Sequence, residues 1–265
     1  METAMTQTPL VHLRDVHKRY ANGTIALNGM TLDVGAHEFI SFLGPSGCGK
    51  STALRMIAGL SSISGGSIEW AARTERGAGQ THDVSFVFQE PTLMPWASVF
   101  QNVYLPLKLR GESRERARSR VEEALAMVGL SRFANVYPRE LSGGMKMRVS
   151  IARAMVTRPR LLLMDEPFAA LDEMTRIKLN NDLLALWQEH RFTVIFVTHS
   201  VYESVYLSNR VMVMASRPGR VIDEIEIAAP YPRGDAFRES ALYTQLCRET
   251  SNSLHRAMDT SAIDH

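Results

Sequence analysis

Apolar positions in this chain fall into two rhythms, one continuous and one with a helical period. Residues 38–43 (E-F-I-S-F-L) form a short run rich in aromatic and β-branched side chains, which predicts a buried strand. Residues 84–88, 161–164, 193–197 and 210–215 have the same unbroken character, suited to a parallel sheet covered on both faces. Residues 51–60 instead place Leu54, Ile57 and Ala58 on one helical face. Residues 113–130 do the same with Ala117, Val121, Ala124, Leu125 and Val128, and a further helix is marked by Met145, Val149, Ala152 and Val156. Coarsely, strands and turns fill 10–89, helices fill about 91–157, and strands alternate with helices over 161–227. That order predicts an α/β core with a helical insertion and no internal repeat. Pro230, Pro232 and Gly234 mark a break. The polar tail beyond it is too short for a domain of its own, and a helix is expected over 237–249.

Composition narrows the classes. At 265 residues and 45% hydrophobic content the chain can fill one large domain or two modest ones. A net charge of +2 points to no polyanionic partner. The arginines at 114, 116, 118 and 120 are interleaved with Glu115, Glu122 and Glu123 and lack aromatic company, so they read as a solvated helix face rather than a nucleic-acid surface. No apolar run reaches the ~18 residues needed to span a bilayer, and the start M-E-T-A-M-T-Q-T-P does not read as a secretory signal. Two cysteines are too few for a disulfide framework, which makes a reducing cytosol the expected setting.

The chemistry begins where the first buried strand meets the first helix. Gly44–Ser51 reads G-P-S-G-C-G-K-S, the pattern G-x-x-x-x-G-K-[ST] in the strand–turn–helix context that gives it meaning. Gly44, Gly47 and Gly49 allow a tight turn whose N–H groups face a triphosphate, with Pro45, Ser46, Cys48 and Thr52 completing the cradle. Lys50 would lie along the β and γ phosphates and the Ser51 hydroxyl would bind Mg²⁺. Cys48 reads as a small residue that fits the loop, although a thiol beside a positive site is a candidate for alkylation. The strand 161–164 ends in Asp165 and Glu166, and adjacent acids there are costly unless they serve a cation or a reaction. Asp165 fits support of Mg²⁺, and Glu166 fits a base that aligns the attacking water. A second phosphate-suited motif, Leu141–Met145 (L-S-G-G-M), heads another helix and has no obvious task beside a complete phosphate loop.

Together these motifs resemble the ATP-binding subunit of an ABC transporter. Residues 141–154 (L-S-G-G-M-K-M-R-V-S-I-A-R-A) look like that family's signature, F-V-F-Q ending at Gln89 like its Q-loop, A-A-L-D ending at Asp172 like its D-loop, and V-T-H ending at His199 like its switch histidine. Tyr20 stands where the family stacks an aromatic ring on adenine. The match covers about residues 10–227 in unbroken order. It implies a P-loop NTPase (RecA-like) core at 10–89 and 158–229, an antiparallel β subdomain, an inserted helical subdomain at 90–157, and a short tail at 230–265. It also implies ATP and Mg²⁺ as cofactors, with Ser51, Gln89 and Asp165 at the metal. Ser142, Gly143 and Gly144 of a second copy would cover the γ-phosphate in a head-to-tail dimer, His199 would sense that phosphate, and Asp172 would lie at the dimer contact. Further expected partners are integral membrane permease subunits and, indirectly, an external solute-binding protein. The expected location is the cytoplasmic face of the membrane. The flavour of the motifs is similar to importers of the nitrate, sulfonate and taurine group, which also carry pyrimidines and thiamine precursors. A soluble ABC ATPase acting on DNA or ribosomes is the alternative. Met145 and Ala169 depart from the glutamine and serine more common at those points, which removes two polar side chains and no phosphate contact. The apolar corner Leu93, Met94, Pro95 and Trp96 after Gln89 reads either as a buried loop or as a socket for a membrane-embedded partner.

Overall fold

The computed structural model describes residues 9–71, 84–216 and 218–263. The chain forms two compact units, one running to residue 81 and resuming at 191, the other spanning 82–190.

The first unit contains two sheets. β1 (Val11–Arg19), β2 (Ile25–Val34) and β4 (Gly65–Trp70) make a three-stranded antiparallel sheet in the order β2-β1-β4. Its alternating buried and exposed positions, such as Val11, Leu13 and Val16 against Arg14 and Asp15, are those of strands with one dry face. The second sheet contributes β3 (Phe39–Leu43), β7 (Thr193–Thr198), β8 (Arg210–Ala215) and β9 (Arg220–Glu226), ordered β7-β3-β8-β9. Every residue of β3 and β7 is buried, as the continuous apolar runs require. β3 pairs in parallel with β7 and β8, so Leu43 lies level with Thr198 and with Val213. The carboxyl ends of these strands therefore share one edge, where open α/β sheets bind ligands. β9 runs antiparallel to β8 and closes the other side.

α1 (Lys50–Ile57) follows β3, and α6 (Val201–Leu207) follows β7. The tail is more ordered than its composition suggests: α7 (Asp235–Arg238) is followed by α8 (Ala241–Ile263), which packs on β8 and α6. The expected helix over 237–249 is thus split and extended. Ser240 causes the split, because its hydroxyl donates to the Phe237 carbonyl (2.7 Å) and accepts from the Tyr243 N–H (3.1 Å), ending one helix and capping the next.

The second unit holds the parallel pair β5 (Val84–Val87) and β6 (Leu161–Asp165) with α2 (Val99–Leu109), α3 (Arg114–Met127), α4 (Gly143–Met155) and α5 (Glu173–His190). It is wider than the inserted helical stretch expected at 90–157, because β5 and β6 pair with each other and α4 packs on β5. Ser98 starts α2 through a reciprocal cap with Gln101, and Ser113 starts α3 by accepting the Arg116 N–H. Along α3 the buried residues are Ala117, Val121, Ala124 and Leu125, the face its period marks, while Arg118 and Glu122 pair at i,i+4 in solvent. Gly144 is required by close packing of α4 on α5, since a Cβ there would stand 2.7 Å from the Thr175 methyl.

Candidate active site

In the first unit the glycine loop leaves β3 at the shared carboxyl edge. Gly47 and Gly49 take φ of +80° and +93°, and a Cβ at Gly49 would lie 2.6 Å from the Ala26 carbonyl oxygen. At Gly47 a Cβ would meet nothing within 4 Å, so that part of the turn is open to an approaching group. Lys50 is buried, and its ammonium donates to the carbonyls of Gly44 (2.8 Å) and Pro45 (3.0 Å), which fixes the turn around a positive charge. Cys48 is fully buried beneath Gly44, and burial pushes its thiol pKa up. That corrects the alkylation candidate: a protonated, covered thiol is a poor nucleophile, and the residue is there for its size. Pro45 and Ser51 are half-buried and Ser46 is exposed.

Tyr20 lies just past β1 and is 41% exposed. Its hydroxyl is 3.4 Å from Thr52 Oγ1 in the first turn of α1, and Lys18 Nζ sits 5.3 Å from the ring centroid. A half-exposed aromatic face thus borders the phosphate loop, as a stacking platform for a base must. His199 follows β7 at the same edge of the sheet and is exposed.

In the second unit, the pairing of Val87 with Met164 sends Phe88 and Gln89 off the edge beside Asp165 and Glu166. Gln89 is exposed, Asp165 is only 8% exposed, and Glu166 is half-buried with φ +47°, a conformation few non-glycine residues adopt. Strain of this kind gathers at functional positions. Ser142 is exposed at the head of α4 and Gly143 beside it is also exposed. The Ser142 hydroxyl accepts the Met145 N–H at 3.3 Å, so it is an N-cap. A capping hydroxyl keeps its own proton to donate, so the cap is compatible with an anion contact. Asp172 is exposed and accepts the Thr175 N–H at the start of α5, a hydrogen bond that lowers its carboxyl pKa.

Three residues without assigned roles in the sequence support these elements. Asn102, fully buried, donates to the carbonyls of Met94 (3.2 Å) and Ala97 (3.0 Å) and accepts the Met94 N–H, and so fixes the corner after Gln89. The corner is not a buried loop: Pro95 is exposed and Trp96 is 77% exposed, while Leu93 and Met94 are half-buried. Arg153 on α4 donates to the carbonyls of Pro91 and Thr92, joining the helix headed by Ser142 to the segment that follows Gln89. Glu203 on α6 is buried with the Thr198 hydroxyl on its carboxylate. Only Glu203 had a local sequence signal, the S-x-x-E spacing from Ser200.

In the second unit Gln89 and Asp165 offer amide and carboxylate oxygen, and in the first Ser51 offers a hydroxyl, each an oxygen donor of the kind a hard divalent cation takes. Among the described residues there is no cluster of three or more His, Cys, Asp and Glu that would hold a metal unaided.

Comparison with known proteins bears on the chain as a whole. The family model described as ABC transporter matches residues 27–169. An ATP-binding protein of Brucella abortus is 47% identical over 232 residues, covering 88% of each chain. An aliphatic sulfonates import ATP-binding protein of Pseudomonas syringae pv. tomato is 44% identical, covering 92% of this chain and 98% of its own. A solved dimeric ATP-binding cassette in a post-hydrolysis state, bound to ADP and phosphate, is 34% identical with a TM-score of 0.71, covering 83% of this chain and all of that one.

Proposed function

The chain belongs to the ABC transporter family as an ATP-binding and ATP-hydrolysing importer subunit, and from that premise we propose how its residues power uptake of a small solute. Residues 10–229 would be the ATP-binding domain and 230–265 a tail. Lys50 and the N–H groups of residues 44–52 hold the phosphates, and the ring of Tyr20 stacks on adenine. Ser51, Gln89 and Asp165 would hold Mg²⁺, which when bound would supply neutralisation of phosphate charge. Glu166 accepts a hydrogen bond from the attacking water and draws its proton as the water oxygen bonds to the γ-phosphorus and the bond from that phosphorus to the β-phosphate oxygen breaks, leaving ADP and inorganic phosphate. His199 donates a hydrogen bond to the γ-phosphate and loses it on hydrolysis.

Two copies close head to tail, with Ser142, Gly143 and Gly144 of one donating to the γ-phosphate held by the other, and Asp172 lying along the contact. ATP stabilises the closed pair and its products do not, so each turnover closes and reopens the dimer. The dimeric cassette supports this reading. The exposed Trp96, fixed in place by Asn102, supports docking of an integral membrane permease on the second unit. Among the described residues no helix is long and apolar enough to cross a membrane, and attachment at the cytoplasmic face would come through that permease. An external solute-binding protein would supply the cargo. Of the nitrate, sulfonate, taurine and pyrimidine types, an organic sulfonate is favoured by the Pseudomonas relative. The import relative, matched over nearly its whole length, speaks against the alternative of a soluble ATPase acting on DNA or ribosomes.

The observation that carries the proposal is the presence in one chain of a complete phosphate loop and an exposed capping Ser142 at a second helix head. Glu166→Gln tests it. The variant should bind ATP, lose turnover by at least about a hundredfold, and run as a dimer with ATP in size-exclusion chromatography with light scattering. A monomer at saturating ATP would overturn the paired mechanism, and unchanged turnover would remove Glu166 from its role.

A further inference from the structure

His199 is exposed at the end of β7, yet the chain on both sides of it is tied down. Thr198, 3% exposed, donates its hydroxyl proton to Glu203 Oε2 at 2.6 Å. The same hydroxyl oxygen accepts the Ser200 N–H at 3.0 Å, and the Ser200 hydroxyl accepts the Glu203 N–H at 3.3 Å. A closed ring of three hydrogen bonds therefore runs from the strand end to the first turn of α6 and back, with His199 at its outer corner. Glu203 is only 9% exposed, and a carboxylate that far from water persists where its oxygens are used. A flexible strand end would let the imidazole sample many directions, whereas this ring fixes the peptides before and after it.

We infer that Glu203 is a positioning residue for hydrolysis, holding His199 aimed at the terminal phosphate through the Thr198 hydroxyl. The inference rests on the proposed role of His199 and extends it to a side chain that touches neither nucleotide nor water. Because aim matters when the transition state forms and little when ATP first binds, loss of Glu203 lowers kcat and leaves KM nearly unchanged.

The test is a double-mutant cycle on ATP turnover by the full-length protein. Glu203→Ala should lower kcat about tenfold with KM within about threefold, and Glu203→Gln should restore most of it, since its amide oxygen still accepts the Thr198 proton. In the His199→Ala background, Glu203→Ala should cost nothing more. Thr198→Val keeps the volume, removes the bridging hydroxyl and should reproduce Glu203→Ala, so the inference stays testable if the alanine variant folds poorly. Independent, multiplying losses in the double variant, or full kcat in both Glu203→Ala and Thr198→Val, would overturn the brace while leaving His199 in place. Full turnover in His199→Ala would overturn both.

Discussion

Two glycines two positions apart, Gly47 and Gly49, show how much of the phosphate loop is backbone geometry. Gly47 and Gly49 both have positive φ, but only Gly49 has a neighbour, the Ala26 carbonyl, where a Cβ would go. Gly47→Ala should therefore cost only backbone strain, about 1 kcal/mol, while Gly49→Ala adds a backbone collision and should cost at least about 2 kcal/mol. Urea unfolding of the two variants checks the difference, and equal losses would refute it. Cys48 makes a second point at this scale. Burial raises the thiol pKa values of both Cys48 and Cys247, so the native protein should show no fast-reacting thiol toward iodoacetamide at neutral pH and two once unfolded. Rapid labelling of Cys48 in the native state would contradict the packing around Gly44, and rapid labelling of Cys247 would contradict its burial in α8. The sequence marked the loop by spacing alone, but a thiol's reactivity depends on its surroundings, and a Cβ at Gly44 would lie 2.8 Å from the Cys48 sulfur and 2.5 Å from the carbonyl oxygen of Met214, a residue remote in the chain.

At the scale of elements, α6 is held at both ends by polar bonds of opposite kind. Its N-terminus has the ring around Glu203, and its C-terminus has Arg233 from the tail. The Arg233 guanidinium is 5% exposed and donates to the carbonyls of Val205 (3.1 Å), Tyr206 (3.0 Å) and Ser208 (2.9 Å), and to Ile227 and Ala229. A cation on the orphan carbonyls at the end of a helix is favoured by both hydrogen bonding and the helix dipole. The Tyr231 ring, 4.0 Å from the guanidinium carbon, closes one side of it. Arg233→Ala would leave several buried carbonyls without donors and should cost at least about 3 kcal/mol in denaturant unfolding. Arg233→Lys should recover little, because an ammonium cannot present the planar fork. Loss of less than about 1 kcal/mol would show that water replaces the side chain freely. None of this was legible beforehand. The strands at 161–164 and 193–197 announced themselves through unbroken apolar runs, and α3 through its period. Pro232 and Gly234 beside Arg233 read as a break in the chain, since a single arginine carries no period and its five partners lie on two separate segments, 205–208 and 227–229.

For the whole molecule, the two compact units and the many motifs meet in one measurable quantity, the nucleotide dependence of stability. The order of the motifs along the chain was readable from spacing, because phosphate loops, paired acids and a capped glycine pair need fixed local geometry. What joins residues 1–81 to 191–265 in one unit was not, because the parallel pairing of β3 with β7 links residues far apart in sequence. A ligand that binds only the folded chain stabilises it by RT ln(1 + [L]/Kd), about 2.7 kcal/mol at a hundredfold excess over Kd. Binding within one copy gives a shift that depends on nucleotide and not on protein concentration. Pairing of two copies adds a second linkage, because association is favoured as protein concentration rises. Glu166→Gln with ATP should therefore melt at a temperature that climbs with protein concentration, while the same variant with ADP should melt at a temperature independent of it. Ser142→Arg in that background places a bulky cation at the exposed head of α4, away from the loop that Lys50 organises. It should keep the ATP-dependent shift and lose the dependence on protein concentration. Differential scanning fluorimetry across a hundredfold range of protein concentration separates the two linkages. If the concentration dependence survives in the arginine variant, the copies associate through another surface, and Ser142 is only the cap of its helix.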